Sequence, residues 1–395
     1  MHNFATMALI QRAALQTLRE LAQQFRCVAV TGPRQSGKTT LLKQAFPAKV
    51  YVSLEDPDVF EEAQADTKRF LQKFKQGAII DEAQKLPQLF NYLQGVLDAN
   101  PSKKGLFILS GSNNFLLQQS ISQSLAGRVA YLQLLPLSYS ELSTKAAIAQ
   151  QNKFEVMQRG AYPEIVVQKI EQKLWYENYL NTYIEKDVRL IRNINNADAF
   201  KRFIAYCAGL AGQQLQINKM ASDLSIDVRT VNEWLSVLQA SYIIYLVQPY
   251  FNNYLKRLTK APKLYFCDTG LLCHLLKIYS ASKLSSHESK GAIFENWVIT
   301  ELRKNQFNQG MLADQYYFRD SAGNGVDLIQ SLHEEWTPIE IKLNAKYDAG
   351  MTKGLQWYRK LSRINNGMLI YGGDASLEIT EDMFANSWRD VADIG

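Results

Sequence analysis

GPRQSGKTT, residues 32–40, lies directly after the apolar run Cys27 to Val30 and directly before the helix-like LLKQAF. The order is strand, loop, helix. Gly32 and Gly37 let such a loop wrap with its backbone N–H groups turned inward, and the following helix adds the positive end of its dipole. The spacing G-x4-G-K-T is that of a cradle for nucleotide phosphates, formed by Gly32, Pro33, Arg34, Gln35, Ser36, Gly37, Lys38, Thr39 and Thr40. Lys38 is placed to reach the β- and γ-phosphates. Thr39 offers a hydroxyl to Mg2+.

Working outward, a second apolar strand, GAIIDE at residues 77–82, ends in two acids about 40 residues behind the loop. Ligands of a parallel α/β sheet collect at the carboxyl ends of its strands, which puts Asp81 and Glu82 beside the phosphates. Asp81 suits the magnesium shell, and Glu82 suits polarisation of the attacking water in phosphoryl transfer. A third strand, LFILS at 106–110, delivers Ser112, Asn113 and Asn114 to the same edge, where a polar side chain can sense the γ-phosphate. Arg128 precedes another apolar stretch, and phosphoryl transfer benefits from one such cation on the transferred group.

In a chain of 395 residues, two or three domains are expected. Its four cysteines are scattered without C-x2-C spacing and its four histidines are few, so neither a disulfide framework nor a zinc site is expected. No apolar run approaches the 18 residues a membrane span needs, and the N-terminus lacks a secretory pattern, so a cytoplasmic protein without membrane contact is the expectation. Charge is uneven: residues 1–150 and 151–280 each carry 16 basic and 11 acidic side chains, and residues 281–395 carry 12 and 16. A basic front suits phosphate-bearing partners.

The series GPRQSGKTT, IIDEAQKLP, LSGSNNFLL, AGRVAYLQLLPLSYSE and GAYPE resembles the bacterial and archaeal AAA+-type ATPases that join a P-loop domain to a C-terminal restriction-endonuclease-like domain. The resemblance implies ATP as the nucleotide. It makes Lys38 and Thr39 the Walker A pair, Asp81 and Glu82 the Walker B pair, Ser112 or Asn113 the sensor and Arg128 an arginine finger. A finger acting on a neighbouring subunit would imply a ring or dimer. The absence of an N-K-x-D guanine reader after the third strand agrees with adenine.

Residues 171–193 have the spacing of an amphipathic helix, with a charged patch at Glu185, Lys186, Asp187 and Arg189 to which no chemistry is assigned. INKMASDLSIDVRTVNEWLSVL, residues 217–238, reads as a helix-turn-helix whose second helix exposes Arg229, Thr230, Asn232 and Glu233. The strand-like YIIYLVQPY, the turn pair Asn252 and Asn253, and a returning strand at Leu264 to Cys267 complete a winged helix. Lys256, Arg257, Lys260 and Lys263 make its hairpin basic, which suits a DNA backbone; a protein partner is the alternative.

From Gly291 a helix carries Glu295, the strand VDLIQ carries Asp327, and the strand PIEIK carries Glu340 and Lys342. Glu340 and Lys342 are two apart and so share a face, while Ile339 and Ile341 take the other. Three carboxylates suit hard divalent cations, Mg2+ or Mn2+, with Asp327 and Glu340 as the ligands, and the lysine suits activation of a water. The series Glu295, Asp327, Glu340, Lys342 is similar to the PD-(D/E)xK nuclease signature, although relatives often carry an acid where this chain has Gly325.

The expected fold is α/β throughout: a P-loop ATPase domain at 1–165, a helical linker and winged-helix domain at 166–280, and a nuclease-like domain at 281–395. The expected function is ATP hydrolysis by a DNA-associated protein whose metal-dependent nuclease domain is gated by nucleotide state. The alternative is a regulatory or protein-remodelling ATPase with a catalytically silent scaffold.

Overall fold

The computed structural model describes residues 10–112, 117, 121, 123–168, 170–183, 197–250, 261–320, 322–332 and 335–394. Asn113, Asn114, the patch at 185–189, the Asn252–Asn253 pair and the hairpin residues Lys256, Arg257 and Lys260 lie outside them. The chain divides into two compact units where the sequence reading expects three domains.

The first unit holds residues 1–137, 240–242 and 306–312. Its elements run α1 (Ala14–Gln24), β1 (Cys27–Thr31), α2 (Lys38–Ala45), β2 (Val50–Ser53), α3 (Pro57–Ala65), α4 (Thr67–Gln72), β3 (Ala78–Asp81), α5 (Gln88–Asp98), β4 (Phe107–Gly111) and β5 (Val129–Gln133). The five strands are all parallel, in the order β2-β3-β4-β1-β5. β1, β3 and β4 are buried at every position, as central strands covered on both faces must be. Their alternating side chains feed two clusters: Cys27, Ala29, Ile80 and Leu109 pack with Phe90 and Leu93, whereas Val28, Val30, Ile79 and Ile108 pack with Leu18 and Leu41. Parallel pairing brings the ends of β1, β3 and β4 to one edge, where the 32–40 loop, Asp81 and Ser112 lie.

The second unit holds residues 138–239, 243–305 and 313–395. Its helices include α6 (Lys153–Arg159), α7 (Gln172–Tyr183), α8 (Ala197–Gly209), α9 (Ile217–Leu224) and α10 (Val228–Ala240). Ser225 adopts the left-handed conformation (φ 53°) where the chain leaves α9, and Asp227 caps α10 by accepting from the Thr230 N–H at 2.8 Å. Then come β6 (Ile244–Pro249), β7 (Lys263–Phe266), α11 (Thr269–Leu275), α12 (Lys290–Asn308), β8 (Gln315–Arg319), β9 (Gly325–Leu332), β10 (Glu335–Lys342), α13 (Lys353–Ser362), β11 (Gly367–Tyr371), β12 (Leu377–Thr380) and β13 (Met383–Ser387).

These strands make one eight-stranded mixed sheet, β12-β13-β11-β10-β9-β8-β6-β7. The expected border at residue 280 therefore cuts through a sheet. β6 pairs with β7 antiparallel, as the expected hairpin requires, and also with β8 in parallel, so both strands belong to the larger sheet, and β7 is buried at all four positions. The physical reason is apolar: Leu264, Tyr265 and Phe266 are too hydrophobic to stand as a solvated ribbon. Among the described residues no helix is long and apolar enough to cross a membrane, and all four cysteines are buried free thiols.

Candidate functional site

Gly32 follows β1 with no room for a side chain: an added Cβ would lie 2.1 Å from the Leu134 carbonyl oxygen. Further along the loop, Gln35 (φ 61°) and Gly37 (φ 92°) are left-handed, the alternation that turns successive N–H groups to one side. The Lys38 ammonium donates to the Gly32 and Pro33 carbonyls, both at 2.8 Å, and so ties the loop closed on itself. Ser36 Oγ is buried without a hydrogen-bond partner. Such an orphan polar atom in a loop of inward N–H groups fits a polar ligand. Arg34 reaches Glu55 at 3.4 Å, and Thr40 lies on the first turn of α2.

Thr39 donates its hydroxyl to Asp81 Oδ2 at 2.9 Å. Tyr51 donates to the same oxygen at 2.6 Å, and Ser110 to the other. Burial and the adjoining Asp81 carboxylate push the Tyr51 phenol well above its ordinary value, so it stays a donor. Glu82 sits in a left-handed turn (φ 54°) directly after β3, and its Oε2 accepts from Ser112 Oγ at 3.0 Å and from the Gln84 amide. Lys38, Thr39, Asp81, Glu82 and Ser112 are thus brought together. Hard oxygen donors at Thr39 and Asp81 beside a phosphate-shaped loop fit Mg2+ and a nucleotide.

Arg128 is not brought there. It precedes β5, whose first residue pairs with Cys27 at the start of β1, so the five residues of β1, about 16 Å of strand, separate it from the loop. Its guanidinium grips Asp98 through two bonds of 2.7 and 2.8 Å. Contact with a nucleotide on its own chain does not fit that placement. Sequence reading missed a different arginine: Arg12, 6 % exposed, donates to the Ser36 carbonyl at 2.7 Å and the Leu135 carbonyl at 2.8 Å, bracing the loop from beneath. Nothing in its local pattern distinguishes it from a surface charge.

A second cluster lies in the second unit. Glu295, from α12, accepts at Oε1 from the Lys263 ammonium at 3.0 Å and the Tyr265 hydroxyl at 2.6 Å, both on β7. Asp327, on β9, accepts at Oδ2 from the Ile341 N–H at 2.9 Å and from Lys342 at 3.3 Å. Lys342 also pairs with Glu340, whose Oε2 is buried without a partner. Burial, then the Asp327 charge, raises the Glu295 carboxyl and pushes Glu340 up to about 7. Both lysines stay charged: burial opposes this, but Glu295 and Asp327 hold the proton on Lys263, and Asp327 and Glu340 hold it on Lys342. Gly325 leaves no room for a side chain: an added Cβ would lie 2.2 Å from the Phe318 carbonyl oxygen.

The expected three-acid metal centre is not formed in this arrangement. Among the described residues no three His, Cys, Asp or Glu side chains are grouped closely enough to hold a metal ion. Two ammonium groups lie among the acids instead. The missed residues, Lys263 and Tyr265, were legible as one face of KLYF by strand alternation, but nothing in the sequence said that this strand joins the C-terminal sheet.

Residues 24–143 match the AAA domain family. That match covers the loop, Asp81, Glu82 and Ser112, and supports an ATPase of the AAA/P-loop class with nucleotide binding. Residues 150–282 and 290–390 match two domains of unknown function, DUF8612 and DUF4143. An uncharacterized protein of Mycobacterium tuberculosis is 28 % identical over 341 residues, covering 85 % of this chain and 74 % of that protein. An uncharacterized protein of Methanocaldococcus jannaschii is 24 % identical over 391 residues, covering 89 % and 84 %. The Walker-type ATPase of Pyrococcus abyssi aligns at TM-score 0.47 and 13 % identity, covering 69 % of this chain and 97 % of that structure, a likeness too loose to transfer a residue or a reaction.

Proposed function

We propose that this protein binds ATP with Mg2+ in the 32–40 loop and hydrolyses it, with Glu82 orienting the attacking water. The observation that carries this reading is the linked set Lys38, Thr39, Asp81, Glu82 and Ser112 at one end of a parallel sheet. Bound Mg2+ and ATP supply the transferable phosphoryl group and the cation that neutralises it. Lys38, now holding two loop carbonyls, exchanges them for phosphate oxygens. Thr39 and Asp81, already joined, present adjacent hard oxygens. Ser112 and Gln84 fix Glu82 Oε2, so the carboxylate can accept a hydrogen bond from water in one orientation. Asn113 is a further candidate sensor, and Arg128 is left with a role only towards a neighbouring subunit of an oligomer.

Steady-state ATP turnover tests the reading. Lys38→Ala should abolish nucleotide binding and turnover together, whereas Glu82→Gln should keep binding and lose about 100-fold or more in turnover. Full turnover in Glu82→Gln would remove Glu82 from the mechanism.

For the second unit, two readings compete. Asp327, Glu340 and Lys342 on adjoining strands, together with Glu295, support a DNA-associated, metal-dependent nuclease gated by nucleotide state. The lysine pairing of these acids favours the other reading, a regulatory ATPase with a silent nuclease-like scaffold. Arg229 also pairs with Glu233 at 3.0 Å on the exposed face of α10, which fits a protein partner better than phosphate. Plasmid cleavage with Mg2+ or Mn2+, with and without ATP, decides: cutting lost in Asp327→Ala and altered in Lys38→Ala supports the gated nuclease, and no cutting with ATP turnover intact supports the scaffold.

A further inference from the structure

Asp81, at the end of β3, is 6 % exposed, and among the described residues four donors serve its carboxylate. Oδ1 accepts from the Ser110 hydroxyl and from the Glu82 N–H at 3.1 Å. Oδ2 accepts from Thr39 at 2.9 Å and from Tyr51 at 2.6 Å. A carboxylate offers about four lone-pair sites, so each one is taken. Mg2+ keeps several of its waters when a protein binds it, and a water held by Asp81 needs one of those sites as its acceptor. Asp81 can therefore serve the hydration shell of the ion only after one donor leaves.

The four donors are not equally free to go. Ser110 is fully buried on the central strand β4, and the Glu82 N–H is fixed by the left-handed turn that follows β3. Thr39 lies in the first turn of α2, and its hydroxyl oxygen is the one offered to the ion. Tyr51 comes from β2, the edge strand, where it is half-buried and pairs with Ile79, two residues before Asp81. Lys43, one turn beyond Thr39 on α2, holds its ammonium 3.9 Å from the centre of the Tyr51 ring. That contact needs the ring and not the hydroxyl, so it does not depend on the bond to Asp81.

We propose that Tyr51 gates the metal side of the phosphate loop: its hydroxyl occupies the acceptor position on Asp81 Oδ2 that Mg2+ and its water require, and loading of the ion displaces it. The inference rests on the reading of Thr39 and Asp81 as the Mg2+ side of a nucleotide site. Tyr51 is a positioning residue in this account. It sets how much the ion adds to nucleotide affinity, whereas the loop sets the affinity for the phosphates themselves.

The test is equilibrium binding of ADP to the full-length protein, in Mg2+ and in EDTA, for the wild type, Tyr51→Phe and Lys38→Ala. Phenylalanine keeps the ring beside Lys43 and removes the donor. The gain in affinity from Mg2+ should be about tenfold larger in Tyr51→Phe than in the wild type, the worth of one hydrogen bond to a charged acceptor, while the affinity in EDTA stays at the wild-type level. A gain that is unchanged or smaller in Tyr51→Phe overturns the proposal and leaves the nucleotide site standing. ADP binding that is absent from the wild type, or undiminished in Lys38→Ala, overturns the nucleotide reading and the proposal with it. Should Tyr51→Phe fail to fold, a fluorotyrosine placed at position 51 answers instead: its fluorine resonance should shift when Mg2+ is added to the ADP complex, and an unmoved resonance at saturation overturns the proposal.

Discussion

Replacing Gly32 with alanine adds one methyl group where the structure has no space. The new Cβ would stand 2.1 Å from the Leu134 carbonyl oxygen and 3.0 Å from its carbon, both backbone atoms. Ordinary contact begins at 3.4 Å, so loop and strand must part by about 1.3 Å. Leu134 cannot yield freely, because its N–H donates to the Thr31 carbonyl at 2.7 Å. The loop moves instead, and with it the two carbonyls that hold the Lys38 ammonium. Overpacking of this kind costs about 1–3 kcal/mol. A displacement near 1 Å in a phosphate-positioning loop costs about 100-fold in turnover. ATP turnover and thermal unfolding, measured side by side, check both numbers. Gly95→Ala is the matched control: it lies inside α5 with nothing within 4 Å, and the exchange should stabilise by about 0.5–1 kcal/mol. Wild-type turnover and unfolding temperature in Gly32→Ala would refute the steric reasoning.

Asp268, 2 % exposed, accepts from the Tyr176 hydroxyl at 2.6 Å and from the Ala161 and Leu271 N–H groups at 2.8 and 2.9 Å; Asp268→Ala should cost about 3 kcal/mol or more by chemical denaturation, while leaving nucleotide affinity unchanged. Arg128→Ala should leave nucleotide affinity unchanged in an equilibrium titration, since its partner is Asp98 at the far end of β1; a weakened affinity would contradict that placement. His274 is held below its ordinary value of 6.5 by burial, so the unfolded chain binds the proton more readily. Its contribution to stability is present above pH 6.5 and is lost as pH falls through the lower folded value. Unfolding midpoints across that window should fall less in His274→Gln than in the wild type, and equal slopes would exclude the histidine as the cause.

The phosphate loop was legible because its chemistry and its geometry come from the same nine residues. Asp81 and Glu82 were legible because parallel strands bring their ends together by rule. Arg128 misled because the sequence shows that a strand follows it but not which end of the sheet that strand start occupies. Arg12 and Lys263 were beyond the pattern for a shared reason: each acts on a partner distant in sequence, Ser36 and Leu135 for one and Glu295 for the other, across contacts that no local periodicity encodes. The alternation in PIEIK placed Glu340 and Lys342 on one face but said nothing of β7 arriving beside them. The strand propensity of Tyr242 to Tyr250 shows a strand and its hairpin partner, but not that the same strand also pairs with β8 of the C-terminal sheet.

The pairing of β6 with β8 also bears on how the chain can be dissected. A fragment beginning at residue 281 would strip β8 of the strand that covers its outer side, leaving a row of unsatisfied backbone groups next to Tyr316 and Tyr317. Such an edge recruits other strands, so that fragment should self-associate, while one beginning ahead of α9 keeps the edge covered and should remain dispersed. The C-terminal segment is accordingly no detachable cassette: insertion, deletion or exchange of this portion has to carry the hairpin with it.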